Sequence, residues 1–554
     1  MKCKRAGMGE TQAENMYKKQ ILTSVLLVAF SGAGWCQAPA ARDVPVAAEA
    51  PLLTIKRFIV EGDNPLSEGE TQSLLAKHLG PHNDLTSIEA AASTLEKAIR
   101  DRGQVFHRVI VPAQRPESGE LRLRVLKFSL ANATVSGNKY FSRENILRSV
   151  PAFAPGGSPD IRSLGRQITL ANEHPAKRLT VQFKESTKPD HIDADIVVRD
   201  VPAAQTFIGL TGNSRDFDNA LNRNTGYTRL TVGHQRSNLF DRDHALTLAY
   251  TTSPDHLDRV SQYGVFYWAP IYRYNTAISA YYTRSDVDTG TVGVGGVNFN
   301  ISGKGEFFGV RANYALPKFR TLAQSVSIAI DSRFFESTVG LVGGVGAPLP
   351  ANTVGSLPLS LRYTLRLDQQ WGGVGGNIEY VTNLGGGRGN ETLSYAASRT
   401  LADTHWEVIR VAADAQYNFA SRWSVTARLQ GQYTDDFLIP GEQFGVGGVS
   451  SVRGLKEREA TGDRGYSANF EVIAPAVYAG IVPFAFADFG RRMHITPVVG
   501  VTQNDNVASA GMGLRWHWAK GLDVTVSYAN VLNGLQGGTP RGHDKANFSL
   551  FYRF

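Results

Sequence analysis

The sequence predicts an all-β transmembrane barrel of about 16 antiparallel strands, preceded by two small α/β domains. Three observations support this prediction. Apolar and polar residues alternate through 202–554, a strand–helix–helix–strand–strand pattern occurs twice within 52–201, and the N-terminus resembles a secretory signal. The chain has 554 residues, of which 42% are hydrophobic and 19% charged, so it can form several folded domains.

The N-terminus has the pattern of a signal peptide. Two lysines precede the apolar run 21–30, and small residues follow it. A basic head, a short apolar core and a small-residue exit are typical of secretory signals. We therefore predict a signal peptide over 1–38, with Met16 as a possible true start, and a linker rich in alanine and proline over 39–51.

The composition excludes several other classes of protein. The two cysteines, Cys3 and Cys36, lie in or before the predicted signal, so we expect no disulfide framework and no thiolate metal site. The net charge of +8 is spread along the chain without the basic block of a nucleic-acid-binding protein. After the N-terminus, no run of about 20 apolar residues could form a membrane-spanning helix.

Two α/β domains are predicted, over 52–127 and 128–201. In the first, both helical patterns begin at a Ser or Thr in the N-cap position, Ser67 and Thr86. A repeat of this length indicates two copies of one supersecondary unit. The elements predicted for the first domain are a strand around Phe58, helices at 67–79 and 86–102, and strands at 105–111 and 121–128. Those predicted for the second are a strand at 133–135, helices at 142–150 and 161–172, and strands at 179–184 and 192–199.

The barrel is predicted over 202–554. Alternation is clearest at 423–434 and recurs at 246–250, 510–518 and 524–528. Every backbone polar group in lipid must be paired, so strands can cross a membrane only as a closed barrel. At roughly 22 residues per strand and connection, the segment closes with about 16 strands. The aromatic residues at strand ends that fit interfacial girdles are Trp423, Tyr433, Trp518 and Tyr528.

The chain ends on a strand that alternates up to its last residue. We predict that this strand pairs with the first barrel strand, because closure removes exposed sheet edges. We also predict that its alternating apolar residues form a C-terminal barrel-insertion signal, comprising Phe548, Leu550, Tyr552 and Phe554.

Two motifs resemble the paired signature of the superfamily of outer-membrane insertases and two-partner-secretion transporters. The glycine-rich segment 441–448 leads into a pore-loop motif, and a second motif lies downstream. The resemblance implies an Arg-Gly tip on a long loop that folds back into the barrel, and a carboxylate from the barrel wall. A guanidinium binds a carboxylate in a directional, bidentate manner, which suits an anchor. The pore-loop residues are Val452, Arg453, Gly454 and Leu455, where Leu455 replaces a frequent aromatic residue, and the wall residues are Phe486, Asp488 and Gly490.

The two α/β domains resemble polypeptide-transport-associated (POTRA) domains. Residues 109–114 and 119–121 are similar to the first POTRA domain of the haemolysin activator and filamentous-haemagglutinin transporter family. Asn172, Pro175 and Arg178 are similar to the end of the second helix in the second domain. The resemblance covers about 52–554. It implies a type V, two-partner-secretion transporter of the outer membrane, with POTRA domains in the periplasm, that recognises an unfolded exoprotein and translocates it to the cell surface.

The resemblance also implies partners. These are a secreted client, such as a large β-helical haemolysin, adhesin or toxin, together with outer-membrane lipid, the barrel assembly machinery and periplasmic chaperones. No nucleic acid is expected. The identity of the client stays open. Because the linker 39–51 is short, we predict that no helix plugs the pore.

Two alternative functions remain open at this point. An assembly or insertion factor of the same superfamily usually carries more POTRA domains, and a passive porin would not need them. A barrel enzyme should show a nucleophile and a base, yet the sequence lacks the GxSxG, HExxH and P-loop motifs. We therefore expect no enzymatic activity, no catalytic residue, no metal site and no cofactor. The histidines that we interpret as isolated and solvated or lumenal are His174, His234, His244 and His517.

Overall fold

The structure is a computed structural model. It describes residues 53–82, 85–115, 119–154, 156–213, 226–286, 290–294, 297–301, 304–337, 352–496, 502–518 and 521–554. The predicted signal peptide, linker and start at Met16 lie outside these residues. In the described part of the chain, no helix is long and apolar enough to cross a membrane.

The first α/β region has a three-stranded sheet with Glu120–Lys127 at its centre. Arg57–Gly62 runs parallel to this strand and His107–Ile110 antiparallel. The first helix is Glu68–Leu75, and a short 3₁₀ turn, Ala76–His78, follows it. The short strand Gly80–His82 then pairs with Leu53–Ile55 and precedes the second helix, Leu85–Asp101. Ser67 caps the first helix in a capping box with Glu70, whereas Thr86 lies inside the second helix.

The second α/β region repeats this topology. His191–Asp200 is the central strand, parallel to Ser129–Ser136 and antiparallel to Lys177–Glu185. The helices are Arg143–Arg148 and Ile161–Ala171, capped by Ser142 and Asp160. Both sheets bury the apolar sides of their helices, as the amphipathic patterns predict.

The C-terminal region is a closed antiparallel barrel of sixteen strands, which confirms the predicted fold class. Consecutive strands pair around the barrel, and the eighth is interrupted at Leu357. The strands, numbered here in chain order, are Ala204–Asn213, Thr228–Leu239, His244–Thr252, Ser261–Ile271, Thr276–Ser285, Gly305–Ala315, Leu322–Ser337, Asn352–Ser356 with Pro358–Gln369, Gly372–Asn383, Glu407–Asn418, Ser424–Tyr433, Arg464–Ile473, Ile481–Met493, Asn504–Trp518, Leu522–Asn533 and Asp544–Arg553.

Side chains on the barrel strands alternate between an apolar exterior and a more polar lumen. On the third strand, Leu248 and Tyr250 are exposed whereas Thr247 is fully buried. On the fourteenth, Met512 and Leu514 are exposed and Ser509 is buried. This arrangement is typical of a barrel that faces lipid. The predicted girdle residues that are exposed are Trp423, Tyr433, Trp518 and Tyr528.

The sixteenth strand closes the barrel by pairing with the first. The register runs from Asn547 opposite Asn213 to Arg553 opposite Phe207. The last residue also takes part, because the backbone N–H groups of Phe554 and Thr206 donate to each other's carbonyl oxygens. The strand therefore lies where the alternation predicts, and its role as an insertion signal stays a prediction.

A buried polar cluster joins the second α/β region to the barrel. The Lys177 ammonium lies 2.5 Å from the Asp243 carboxylate, in the turn between the second and third barrel strands, and neither side chain is exposed to solvent. The Tyr272 hydroxyl donates to the same carboxylate over 2.7 Å. Asn145 and Ser149 also donate to it. We call these five residues the junction cluster.

His174 lies beside the junction cluster, so our interpretation of it as an isolated, solvated or lumenal residue was wrong. Its side chain is fully buried, and its Nδ1 accepts the backbone N–H of Ala176. Its Nε2 therefore carries the proton and donates to the Ser237 carbonyl of the barrel. Burial lowers the pKa of this imidazole to about 4. His174 is thus a neutral contact between the two regions.

Candidate functional site in the barrel lumen

The loop 434–463, between the eleventh and twelfth barrel strands, folds back into the lumen. Its apolar residues Val446, Val452 and Leu455 are buried and form one cluster with Val507 and Val531 of the barrel wall. Burial of these side chains holds the loop against the wall, but the hydrophobic effect is not directional. Polar contacts must therefore set the orientation of the loop.

Arg453 and Asp488 meet in this lumen. Nε and Nη2 of Arg453 each donate to a different carboxylate oxygen of Asp488 over 2.7 Å. The backbone N–H of Arg453 adds a third bond, of 3.1 Å, to the same carboxylate. Asp488 is fully buried and the Arg453 side chain is 7% exposed. The geometry is that of a bidentate, charge-assisted pair, as the two motifs predict.

A second carboxylate, missed in the sequence, completes this site. Nη1 of Arg453 donates to Glu471 of the twelfth strand over 2.8 Å, and Arg515 of the fourteenth strand donates to the other oxygen of Glu471 over 2.6 Å. Asn469, two residues before Glu471 on the same face of the strand, donates to Asp488 over 2.9 Å. The signal in the sequence was the alternation of the polar residues Asn469 and Glu471 with the apolar Phe470 and Val472, which indicates that the polar pair faces the lumen.

Both arginines make cation–π contacts with phenylalanine rings of the thirteenth strand. The guanidinium carbon of Arg453 lies 3.5 Å from the centre of the Phe486 ring, and that of Arg515 lies 4.1 Å from the Phe484 ring. Phe484 and Phe486 are buried on the same side of the strand as Asp488. Large aromatic residues point inwards here because their faces attract the cations.

Two glycines of the motifs provide space for this packing. Gly454 has a φ of +99°, and a Cβ added there would lie 2.8 Å from the Val531 side chain. A Cβ at Gly490 would lie 2.3 Å from Val446 of the loop. The loop therefore approaches the wall where the wall has no side chain. Leu455 lies in the apolar cluster.

The N-terminal limb of the loop carries a second set of ion pairs. Glu442 is fully buried and accepts hydrogen bonds from Arg333 over 2.8 Å and from Arg410 over 3.1 Å. Near the end of the loop, Asp463 pairs with Arg399 of the segment between the ninth and tenth strands. Neither acid has a role predicted from the sequence, and Glu442 is simply part of the glycine-rich segment 441–448.

A cavity of about 640 Å³ lies between the N-terminal limb and the barrel wall. Its wall includes residues from the fourth to the eleventh strands, and a gap of about 20 Å³ lies beside Arg453. The cavity is bordered by several charged side chains, namely Arg311, Arg333, Arg362, Arg410, Asp331, Glu379 and Glu442.

The remaining residues singled out in the sequence do not join this site. His234 and His517 are exposed, and His244 is half-buried beside Tyr267. Among the described residues, no group of three or more His, Cys, Asp or Glu could hold a metal ion.

Comparisons with known proteins agree with this geometry. The model of the family described as "Haemolysin secretion/activation protein ShlB/FhaC/HecB" matches residues 210–516. The model of the ShlB-type POTRA domain matches residues 53–127.

Individual relatives are distant but match most of the chain. The outer membrane transporter CdiB of Dickeya dadantii is 22% identical over 76% of this chain and 72% of its own length. The heme/hemopexin transporter protein HuxB of Haemophilus influenzae is 20% identical over 87% of this chain and 84% of its own. Solved structures of CdiB from Escherichia coli and Acinetobacter baumannii share the fold, with TM-scores of 0.73 and 0.68 at 15% identity. The former comparison covers 93% of each chain, and the latter covers 92% of this chain and 91% of the other.

Proposed function

The chain belongs to the haemolysin secretion/activation family of ShlB, FhaC and HecB, and from this premise we propose how it moves its exoprotein. It is a two-partner-secretion transporter of the outer membrane, with its POTRA region in the periplasm and a secreted exoprotein as partner. We propose that the second α/β region captures the unfolded exoprotein, that the exoprotein crosses through the barrel lumen, and that Arg453 holds the loop in the position that transport requires.

The family match favours this function over the insertase and porin alternatives. Contacts with lipid, chaperones and the barrel assembly machinery, a β-helical client and the absence of enzymatic activity remain predictions. The observation that carries the proposed role of the loop is the Arg453 contact. Its guanidinium bridges two wall carboxylates, and this fixes the direction of the loop tip as apolar packing alone would not.

Arg453→Ala tests this role. We expect secretion of the exoprotein to fall sharply while the barrel still inserts and stays heat-modifiable on gels, because the sixteen-strand hydrogen-bond network does not depend on the loop. The matched control is Arg541→Ala, which removes an exposed arginine from another outer loop. Normal secretion by Arg453→Ala would contradict the role.

The proposed capture site is the edge strand Lys177–Glu185. It pairs on one side with His191–Asp200 and ends the sheet on the other. An unpaired edge offers backbone groups to which an extended client can add a strand. Gln182 is exposed on this edge.

A photo-crosslinking amino acid placed at Gln182 tests the capture site. We expect it to trap the exoprotein during secretion, whereas the same group at the exposed Glu144, on the helix Arg143–Arg148, should not. Equal trapping at both positions, or none at Gln182, would count against capture by this edge.

A further inference from the structure

The loop in the lumen is held at two places that differ in the empty space beside them, which is about 640 Å³ at Glu442 and about 20 Å³ at Arg453. At Arg453, the apolar cluster and the glycines of the motifs bring loop and wall into direct contact. At Glu442, ion pairs with the wall and the burial of Leu438 and Ile439 beside Phe335 hold the loop, and the large cavity lies alongside. A loop that moves during transport has room to move towards this cavity.

Glu442 depends on three neighbouring parts of the wall. One carboxylate oxygen accepts from Arg333 of the seventh strand and Arg410 of the tenth. The other accepts the Ser356 hydroxyl of the eighth strand over 2.7 Å. In addition, Gln432 donates to the Glu442 carbonyl over 3.1 Å. Four wall residues thus converge on one residue of the loop.

The wall arginines do not depend on Glu442 alone. Arg333 also pairs with Asp331 over 2.8 Å, and Arg410 donates to Gln432 over 3.0 Å. If Glu442 moves away, both cations keep one polar partner, so the cost of release is smaller than for an isolated buried pair. At Arg453, in contrast, release would leave the fully buried Asp488 with Asn469 as its remaining side-chain partner in the described structure.

We propose that Glu442 is the releasable anchor of the loop, and that its separation from Arg333 and Arg410 opens the lumen on the cavity side for the exoprotein. The Arg453 end acts as the fixed pivot. The inference rests on the proposed function, because it assumes that the client passes through the lumen. It assigns to Glu442 a positioning role that the Arg453 and Asp488 motifs do not contain.

The opened path would be lined by arginines. With Glu442 withdrawn, the wall of the cavity presents Arg311, Arg333, Arg362 and Arg410, with Asp331 and Glu379 as counter-charges. A pore with this excess of cations attracts anions. Opening should therefore be visible as ion flow without any client.

The test is the conductance of purified, full-length protein in planar lipid bilayers. Glu442→Gln removes the charge and nearly preserves the shape, so we expect a severalfold rise in mean conductance with a preference for anions. Glu442→Asp, which keeps the charge, should stay closer to the unsubstituted protein. The matched control is Glu459→Gln on the same loop, where the carboxylate binds Thr539 instead of the wall arginines. It should leave conductance unchanged.

Accessibility gives a second readout. Asn377 lines the cavity, whereas Ser527 lies buried on the fifteenth strand. With Cys3 and Cys36 replaced, a cysteine at Asn377 should react faster with a membrane-impermeant methanethiosulfonate reagent when Glu442→Gln is also present, and a cysteine at Ser527 should not.

Unchanged conductance and unchanged Asn377→Cys reactivity in a heat-modifiable Glu442→Gln barrel would overturn the inference. If Glu442→Gln does not fold, Arg410→Gln can replace it in both measurements, because it weakens the same contact from the wall side. Because neither readout involves secretion, failure here is distinct from failure of the Arg453→Ala experiment.

Discussion

Two buried cations hold different parts of this molecule in place, Arg453 in the lumen and Lys177 in the junction cluster. Arg453 shares its planar guanidinium between Asp488 and Glu471 and stacks on a phenylalanine ring. Lys177 has one carboxylate, Asp243, and otherwise neutral donors and acceptors around it. The Arg453 site therefore fixes the orientation of the loop tip, whereas the Lys177 ammonium only neutralises the Asp243 carboxylate. We expect loss of the first to impair transport and loss of the second to impair stability.

The largest effect is expected from a double-mutant cycle in the lumen. Arg453→Ala and Asp488→Ala should each abolish most secretion, and the double variant should be about as defective as either one, because the two residues act as a unit. Secretion of the exoprotein and heat-modifiability on gels are the measurements. Arg453→Lys should restore secretion only in part, since it keeps the charge but loses the fork. Additive losses would show that the residues act independently.

In the junction, Lys177→Ala should lower the free energy of unfolding by about 3–5 kcal/mol, because it leaves the buried Asp243 carboxylate without a cation. Hydrogen bonds from Asn145, Ser149 and Tyr272 place the loss at the lower end of that range. Denaturant unfolding and limited proteolysis at the junction would measure it. The double variant Lys177→Met/Asp243→Leu should recover part of the stability. Unchanged stability in Lys177→Ala would show that Lys177 does not stabilise the junction.

The stability of the junction should also depend on pH, with a smaller effect than the loss of Lys177. The pKa of His174 is about 4 in the folded protein, against an ordinary value near 6.5, because burial disfavours the charged ring. As the pH falls below about 6.5, His174 becomes protonated in the unfolded chain while it stays neutral in the folded protein. The contribution of His174 to stability is therefore full above about pH 6.5 and is lost as the pH falls towards 4, by up to roughly 3 kcal/mol.

Unfolding curves of the unsubstituted protein and His174→Gln between pH 7 and pH 4 would isolate this contribution. The charged groups nearest the ring, Lys177, Asp243 and Arg178, are present in both proteins. Parallel curves would show that His174 does not titrate as described.

The smallest effect is expected outside both sites. Deleting residues 41–50, within the predicted linker, should change channel conductance little, because we predict no plug helix there. The measurement is the conductance of the purified protein in planar bilayers. A large rise after the deletion would show that this segment occludes the pore.

The fold was predictable because each of its signals is local. The alternation of apolar and polar residues on the third and fourteenth strands predicts a β-strand and also which side chains face lipid. Successive side chains of a strand point to opposite faces of the sheet, so both can be read from the same pattern. The capping box at Ser67 is similarly contained within four residues. Thr86 failed as a cap because a suitable residue type does not by itself define the first helical residue.

The site was only half predictable, for the opposite reason. Arg453 and Asp488 could be paired because each lies in a motif with glycines that make room for the contact. Glu442 and Arg333 are far apart in sequence, and nothing near either indicates the other. His174 was interpreted as solvated because burial at an interface between domains depends on both surfaces, and the sequence shows only one at a time.

The seam between the sixteenth and first strands has a consequence for how the protein is made. Phe554, the last residue of the chain, is bonded to Thr206, next to the periplasmic region. The barrel can close only when residues 547–553 have reached the first strand, and until then one side of the first strand is unpaired. Contacts of such sequence separation form slowly. During that interval the unpaired edge of the first strand can add strands of other chains, so aggregation can begin before the barrel closes.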